Sequence, residues 1–470
     1  MQPVVQNNFI GDLLNALGLP PTSDQMQAVQ LLAQFITGSN EEGIFILKGY
    51  AGTGKTTLLA ALTRVLPRFV LLAPTGRAAK VLSLYSGYQA STIHRHIYKL
   101  NHSPDGNFRL VRNQNKSKSV IYIVDESSMI GDSSSDEGFP GNDLLMDLME
   151  FVFAGENCKL ILVGDTAQLP PVKSEYSPAL DSQNIKSLSQ LNVTETELKQ
   201  VVRQEEAGGI LLNATSLRVL IGRKAVTPVL KTSGFTDIEQ LSSYDLKDQL
   251  EHNLHTYGHD EVLVITKSNK SANQYNQLIR RQILWFEDEL CGGDRLMIVK
   301  NNYFWLDSDA KAGFIANGDT AEVERVKNVE EKYGMRFASV QLRLTDYPEE
   351  PSFEATVLLD TLYAEVSSIS FTRSKQLYEA LQDEFADYKP AERRKLIKEN
   401  IYYNALQVKF AYAITCHKSQ GGQWKSVFVD QGYLTEEMKS TSQLRWLYTA
   451  FTRPTEKLYL INFDLGLFKP

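Results

Sequence analysis

Cysteine is scarce in this chain of 470 residues. The three that occur, Cys158, Cys291 and Cys416, lie far apart and form no CxxC pair. That spacing excludes a disulfide framework or a cysteine zinc site and fits a reducing compartment, so a cytoplasmic location is expected. The seven histidines are not set out as metal ligands either. No apolar run approaches the length of a membrane span, and no basic-then-apolar leader opens the chain. Neither membrane insertion nor export is therefore expected. Hydrophobic content of 43% and charged content of 22% are those of a soluble globular chain. Its length suits about two to four domains rather than one core. The net charge of −7 means that any nucleic-acid contact needs a local positive surface.

What is present begins with Gly49-Tyr50-Ala51-Gly52-Thr53-Gly54-Lys55-Thr56-Thr57, which fits the G-x-x-x-x-G-K-[ST] phosphate loop. The apolar run 44–47 before it suits a buried parallel strand, and 58–62 continues it as a helix. Glycines let the backbone approach phosphate oxygens in dihedrals closed to larger residues. Gly49, Gly52, Thr53 and Gly54 are thus expected to turn N–H groups toward a triphosphate, helped by the helix N-terminus. Lys55 is expected to reach the β- and γ-phosphates and Thr56 to ligate Mg2+, with Thr57 beside them. A Gly-rich turn without a ligand would not require the Lys-Thr pair or the strand–loop–helix order. Upstream, Thr22-Ser23-Asp24-Gln25 starts a helix. Gln25 either reads an adenine edge with its donor and acceptor or serves as the capping-box residue.

Three more apolar strands follow. The run 69–73 ends in Pro74-Thr75-Gly76-Arg77-Ala78-Ala79, whose polar residues face the crevice where parallel sheets bind ligands. The run 120–124 ends in Asp125-Glu126. Two acids delivered beside a phosphate loop divide the work: Asp125 holds magnesium through water, and Glu126 orients and deprotonates the attacking water. The run 159–163 leads to Gly164-Asp165-Thr166-Ala167-Gln168, where Gln168 is placed to sense the γ-phosphate. Between residues 91 and 119 stand six Lys or Arg against one acid, Asp105, with Tyr98 and Phe108 interleaved. Cations suit phosphates and aromatics suit unpaired bases, although a solvated basic loop has the same composition. Pro104-Asp105-Gly106-Asn107 resembles a hairpin tip, and 133–138 a mobile surface loop. Strands alternating with helices define a RecA-like α/β domain over 1–180, with 85–119 inserted in it.

The second half repeats this logic without a phosphate loop, over 181–290 and 405–470. Arg203 stands beside a helix start, 262–266 is a buried strand followed by Asn269, and 415–422 leads into another strand. The segment 291–404 between them differs: Asn317-Gly318-Asp319 is a hairpin signal, and Val340, Leu342 and Leu344 alternate along a strand. A small β-barrel is expected there. A helical pair broken at Pro390 should follow over 373–404, with Leu377, Leu381 and Phe385 on one stripe.

In this order the motifs resemble those of superfamily 1B DNA helicases of the RecD-like and Dda-like kind. The likeness runs from Gln25 to Ile461, and Pro74-Thr75-Gly76-Arg77-Ala78-Ala79 with His417-Lys418-Ser419-Gln420-Gly421 is its most specific part. It implies an α/β fold of two RecA-like lobes clamping Mg–ATP, a wedge hairpin in the first lobe and an SH3-like barrel in the second. It also implies 5′-to-3′ movement on single-stranded DNA and at single/double-strand junctions. Arg203 and Arg453 would complete the ATP site from the second lobe, with Gly422 near the nucleotide. Pro74, Thr75, Thr92, His94, Phe108, Asn269, His417, Lys418 and Ser419 would grip DNA. Gln423 stands where related helicases often carry an acid near the ribose. A monomer is the expected functional unit, with single-strand-binding or replication proteins as candidate partners. The competing functions are an accessory nucleic-acid-binding subunit with weak ATPase and a small-molecule kinase. The latter leaves 415–422 unexplained.

Overall fold

The computed structural model describes residues 2–38, 42–102, 108–131, 143–172, 174–201, 208–223, 227–307, 310, 312, 314–366, 368–433 and 440–468, with backbone only at 2–4, 100–102 and 108–110. The first lobe is a parallel sheet in the spatial order Ala90–Thr92, Phe69–Ala73, Ile121–Val124, Lys159–Gly164, Gly43–Gly49, Val193–Leu198. Side chains alternate across a strand, so each continuous apolar run feeds two cores at once. Phe45, Leu47, Leu71, Ile123, Ile161 and Val163 pack on one face under the helices Gln2–Leu17, Ser23–Thr37 and Lys55–Val65. Ile44, Ile46, Leu72, Val124, Leu160 and Leu162 pack on the other with the helix Leu144–Phe153. Burial on both faces is why the interiors of the central strands are apolar.

The first sheet extends to Leu198, past the 180 boundary read from the sequence. This edge strand, Val-Thr-Glu-Thr-Glu-Leu, is only partly buried and lacks the apolar run that marks the central strands. The second lobe is also parallel, in the order Ala413–Thr415, Val262–Thr266, Trp424–Asp430, Pro454–Ile461, Ile238–Leu241. Between its strands lies a closed five-stranded barrel of Arg295–Ile298, Thr320–Lys332, Met335–Leu344, Phe353–Leu358 and Leu406–Phe410. The last of these belongs to the barrel rather than to the sheet that 405–470 was expected to complete. The tight hairpin is at Tyr333-Gly334, where both residues have positive φ and Lys332 faces Met335. Asn317-Gly318-Asp319 instead forms a turn leading into Thr320–Lys332. Its Gly318 sits at φ +93, so the signal marks a real bend but not a two-residue hairpin.

The helices Phe371–Glu384 and Pro390–Lys398 pack on the long hairpin, burying Leu377, Leu381 and Ile397 against Met335 and Phe337. Pro390 stands in the first turn of the second helix, where its missing N–H leaves no bond unmade. The strands Tyr98–His102 and Phe108–Arg112 pair antiparallel, while the expected tip at 104–107 and the loop at 133–138 lie outside the described residues. Among the described residues no helix is long and apolar enough to cross a membrane.

The barrel also touches the first lobe. Lys80 Nζ donates to Thr345 O at 2.9 Å and stands 3.8 Å from Asp346. Asp319, fully buried, accepts from Ala316 N at 2.7 Å through Oδ2, while its Oδ1 has no partner among the described residues. A Cβ on Gly76 would lie 2.4 Å from that Oδ1, so the barrel contact requires glycine at this helix start. Burial pushes the Asp319 carboxyl up to about 8, Asp346 adding to the rise while the Ala316 N–H and Arg95 oppose it. The native carboxyl therefore keeps its proton to higher pH than the unfolded one. Stability must fall as pH rises from the unfolded value toward 8. Asp319→Asn should remove this loss. Its Tm advantage over wild type should be larger at pH 9 than at pH 6 by about 2 °C, as read by scanning calorimetry.

Candidate functional site

The phosphate loop takes its shape from two left-handed glycines, Gly52 at φ +75 and Gly54 at φ +85, the latter capping the helix Lys55–Val65. Gly49 is needed for space, because a Cβ there would lie 2.8 Å from Lys55 Cγ. Thr53 is buried and its hydroxyl donates to Tyr50 O, closing the turn at 2.8 Å. Lys55 Nζ donates to Gly49 O at 2.6 Å and Tyr50 O at 3.0 Å, so the ammonium rests on loop carbonyls at the cradle's centre. Thr56 and Thr57 are exposed at the helix start. Gln25 is a capping residue here: its Oε1 accepts from Thr22 N at 3.0 Å. Its Nε2 donates to Thr53 O at 3.2 Å, so the side chain also braces the loop.

Asp125 and Glu126 leave the strand Ile121–Val124 at the same edge. Asp125 Oδ1 accepts from Glu126 N at 2.9 Å, and its Oδ2 accepts from the hydroxyl of Tyr85. Glu126 holds a left-handed backbone at φ +52. For a non-glycine residue this costs about 1–2 kcal/mol. Burial raises its carboxyl to about 7, with Asp125 adding repulsion and both Arg453 and Lys55 drawing it back down. Lys55 and Arg453 thus act on one carboxylate from opposite lobes. Gln168 is buried and its Oε1 has no partner among the described residues. An ammonium parked on carbonyls, an exposed Thr56 at the helix start and an amide oxygen unpartnered among the described residues fit a magnesium–triphosphate. Magnesium characteristically takes few protein ligands alongside phosphate oxygens.

Arg453 is buried against its own lobe, donating to Thr449 O at 3.0 Å, Gly422 O at 3.1 Å and Thr452 Oγ1 at 3.0 Å. Gly422 serves as an acceptor for that guanidinium. Arg203 lies outside the described residues. The cleft is bridged by contacts that the sequence does not announce. Tyr448, on the helix Thr441–Phe451, accepts from Ala51 N at 2.8 Å and donates to Asp165 Oδ2 at 2.6 Å. Thr449 Oγ1 accepts from Leu169 N at 2.8 Å, and Gln420 Nε2 donates to Leu169 O at 2.7 Å. Arg218 lies over the Tyr50 ring at 4.6 Å.

The expected DNA-gripping residues divide. Thr75 caps the helix Gly76–Ser86, and a cavity between the lobes is lined by Thr75, Arg77, Thr320, Lys418, Gln420 and Trp424. Lys418 Nζ is buried there with no partner among the described residues, and burial, with Lys409 nearby, lowers it to about 8. Arg77 crosses the cleft to Gln423 O at 3.0 Å and lies 4.4 Å over the Trp424 ring. Gln423 therefore contributes a carbonyl to the lobe contact. Pro74 is half-buried at a strand end, Asn269 is half-buried at the start of the helix Asn269–Leu278, and His417 is exposed. His94 lies on the short helix Ile93–Ile97, its ring 5.7 Å from that of Tyr98. Two residues are turned inward instead. Thr92 is buried and caps that helix through Arg95 N, and Ser419 is buried with its hydroxyl on Cys416 O at 2.8 Å. Both hydroxyls satisfy local backbone, which an exposed-hydroxyl reading of the sequence does not anticipate. The backbone of Phe108 lies in its strand, its side chain outside the described residues. Of the basic residues in 91–119, Arg112 pairs with Asp147 and Glu150, and Lys118 with Glu156. The segment is less free a cationic surface than its composition suggests.

Two lobes around one phosphate loop, with a buried arginine facing the carboxylate pair, define a two-lobed P-loop protein. Residues 22–226 match the AAA domain family and residues 410–461 the UvrD-like helicase C-terminal domain family. The chain is 35% identical to the ATP-dependent RecD2 DNA helicase of Deinococcus radiodurans over 37% of this chain and 21% of that one. It is 27% identical to the ATP-dependent DNA helicase dda of Enterobacteria phage T4 over 54% of this chain and 55% of that one. An uncharacterized mimivirus protein, R530 of Acanthamoeba polyphaga mimivirus, is 22% identical over 93% of this chain and 98% of its own. A Pif1 helicase from Bacteroides in complex with ADP-AlF3 and ssDNA aligns at a TM-score of 0.47 and 15% identity over 96% and 95% of the two chains. By its motif order, family matches and relatives, this chain is similar to the superfamily 1B helicases.

Gly422 offers a direct check of the site's packing. A Cβ there would lie 2.3 Å from the buried Trp424 ring. Gly422→Ala should cost about 1–3 kcal/mol by overpacking, measured as a lowered urea midpoint, and should disturb the carbonyl that holds Arg453.

Proposed function

We propose that the protein is an ATP-dependent DNA helicase that moves 5′ to 3′ along single-stranded DNA, with Mg–ATP hydrolysed between its lobes. The observation that carries this reading is the bond from the phosphate-loop Ala51 N to the Tyr448 hydroxyl of the other lobe, which brings the buried Arg453, five residues on, to the same cleft as Lys55. A transferring phosphoryl group spreads negative charge over its oxygens, and cations supplied from both sides stabilise it only while the cleft is shut. Lys55 leaves the carbonyls of Gly49 and Tyr50 for the β- and γ-phosphates. Thr56 and Asp125 hold magnesium, which when bound neutralises phosphate charge. Gln168 orients the attacking water and Glu126 takes its proton. Arg453, with Arg203, supplies guanidinium charge from the second lobe. Phosphate groups of the strand lie against Thr75, Lys418 and neighbouring donors without base readout, so grip is independent of sequence. Alternate closing and opening of the cleft shifts the tighter grip from one lobe to the other and moves the strand. The protein acts as a cytoplasmic monomer in this scheme.

A strand-displacement assay tests it. Duplexes with a 5′ single-stranded tail should be unwound in the presence of Mg–ATP, and those with only a 3′ tail should not. Unwinding of the 3′-tailed substrate alone would reverse the polarity. Arg453→Ala should lower DNA-stimulated ATPase by about 10³-fold or more, and Lys55→Ala should abolish it. Equal low rates for wild type and Lys55→Ala would leave a DNA-binding protein that is no motor.

A further inference from the structure

The Tyr448 hydroxyl is the unexplained group in the cleft. A phenol has one proton to give and lone pairs that accept. Tyr448 spends both on the opposite lobe, accepting from the phosphate-loop amide Ala51 N at 2.8 Å and donating to Asp165 Oδ2 at 2.6 Å. Tyr448 and Asp165 are both buried, so neither bond competes with water. Asp165 is fixed in turn by Ala167 N on its Oδ1 at 2.9 Å. Leu169 inserts beside it into the second lobe's core, packed with Trp446, Leu447 and Tyr448 in one cluster. Arg453 follows Tyr448 by five residues and is tied through Nε to Thr449 O, the residue next to the tyrosine. Whatever sets the position of Tyr448 therefore sets that of Arg453.

We propose that Tyr448 is a positioning residue. Its hydroxyl latches the arginine-bearing helix to the phosphate loop and so registers the Arg453 guanidinium over the phosphoryl group. Resting on the ATPase reading above, this assigns the closed geometry to one side chain that touches neither phosphate nor metal. A misplacement of about 1 Å in such a group costs roughly 100-fold in rate. The loss falls on kcat, because the guanidinium acts on charge that develops in the transition state, and leaves ground-state binding nearly intact.

Tyr448→Phe keeps the ring and removes both bonds. Two readouts are taken on the full chain: DNA-stimulated ATPase resolved into kcat and KM, and the separation of one dye on each lobe without nucleotide. The expected result is a kcat about 10- to 100-fold lower with KM for ATP within about threefold of wild type, together with a broader inter-dye distance distribution. Asp165→Asn, which retains the Ala51 bond, should fall between the two proteins. A Tyr448→Phe protein with wild-type kcat overturns the proposal. So does one whose loss disappears once rates are expressed per folded molecule, since that is the behaviour of a purely structural residue. Should wild type and Lys55→Ala hydrolyse ATP equally slowly, the helicase reading fails instead. The dye separation then decides the latch alone, an unchanged distribution overturning it.

Discussion

Two separately folded sheets share a catalytic cleft only if something holds them in register, and in this protein a short first-lobe segment does so. Residues 165–169 leave the strand Lys159–Gly164, carry Asp165 and Gln168 along the cleft, and bury Ala167 and Leu169 in the second lobe's core. Apolar burial supplies the attraction, while the bonds of Tyr448, Thr449 and Gln420 set the register. Such a division is physically reasonable, since hydrophobic contact is non-directional and a hydrogen bond is not. The phosphate loop and Arg453 then acquire a common geometry.

A second set of contacts ties the barrel to the first lobe. Asp319 against Gly76 and Lys80 against Thr345 place the barrel beside the helix whose cap is Thr75. The same helix ends near Tyr85, whose hydroxyl reaches Asp125. One element thus borders both the cavity assigned to the DNA backbone and the acid assigned to magnesium. In the proposed scheme, nucleic-acid grip and nucleotide chemistry would have this helix in common.

Much of the fold was legible because its signals are local. Continuous apolar runs mark strands buried on both faces, and the central strands of both lobes follow them. The edge strands Val193–Leu198 and Ile238–Leu241 did not stand out, because half-exposed strands mix polar and apolar residues and resemble loops. The candidate site divided along the same line. Lys55, Asp125, Glu126 and Gln168 were readable from position at a loop or strand end, whereas Tyr448, Asp165, Arg218 and Tyr85 were not. Tyr448 could have been suspected only from its place five residues before Arg453. Thr92 and Ser419 show the converse: their burial and local backbone bonds leave no trace in the motif that carries them.

By itself the amino-acid sequence determined where the phosphate loop lies, which strand carries the acids and that a barrel interrupts the second of two α/β lobes. Each of these follows from backbone preference or side-chain periodicity within a few neighbouring residues. Tertiary structure alone decided that Gly76 must admit Asp319, that Gly422 must admit the Trp424 ring and that Tyr448 must meet Ala51. Gly76 and Tyr448 meet partners hundreds of positions away. Gly422 meets a near neighbour, but the fit depends on where the folded backbone puts the ring. Contacts that exist only once surfaces are packed leave no periodic trace in the chain.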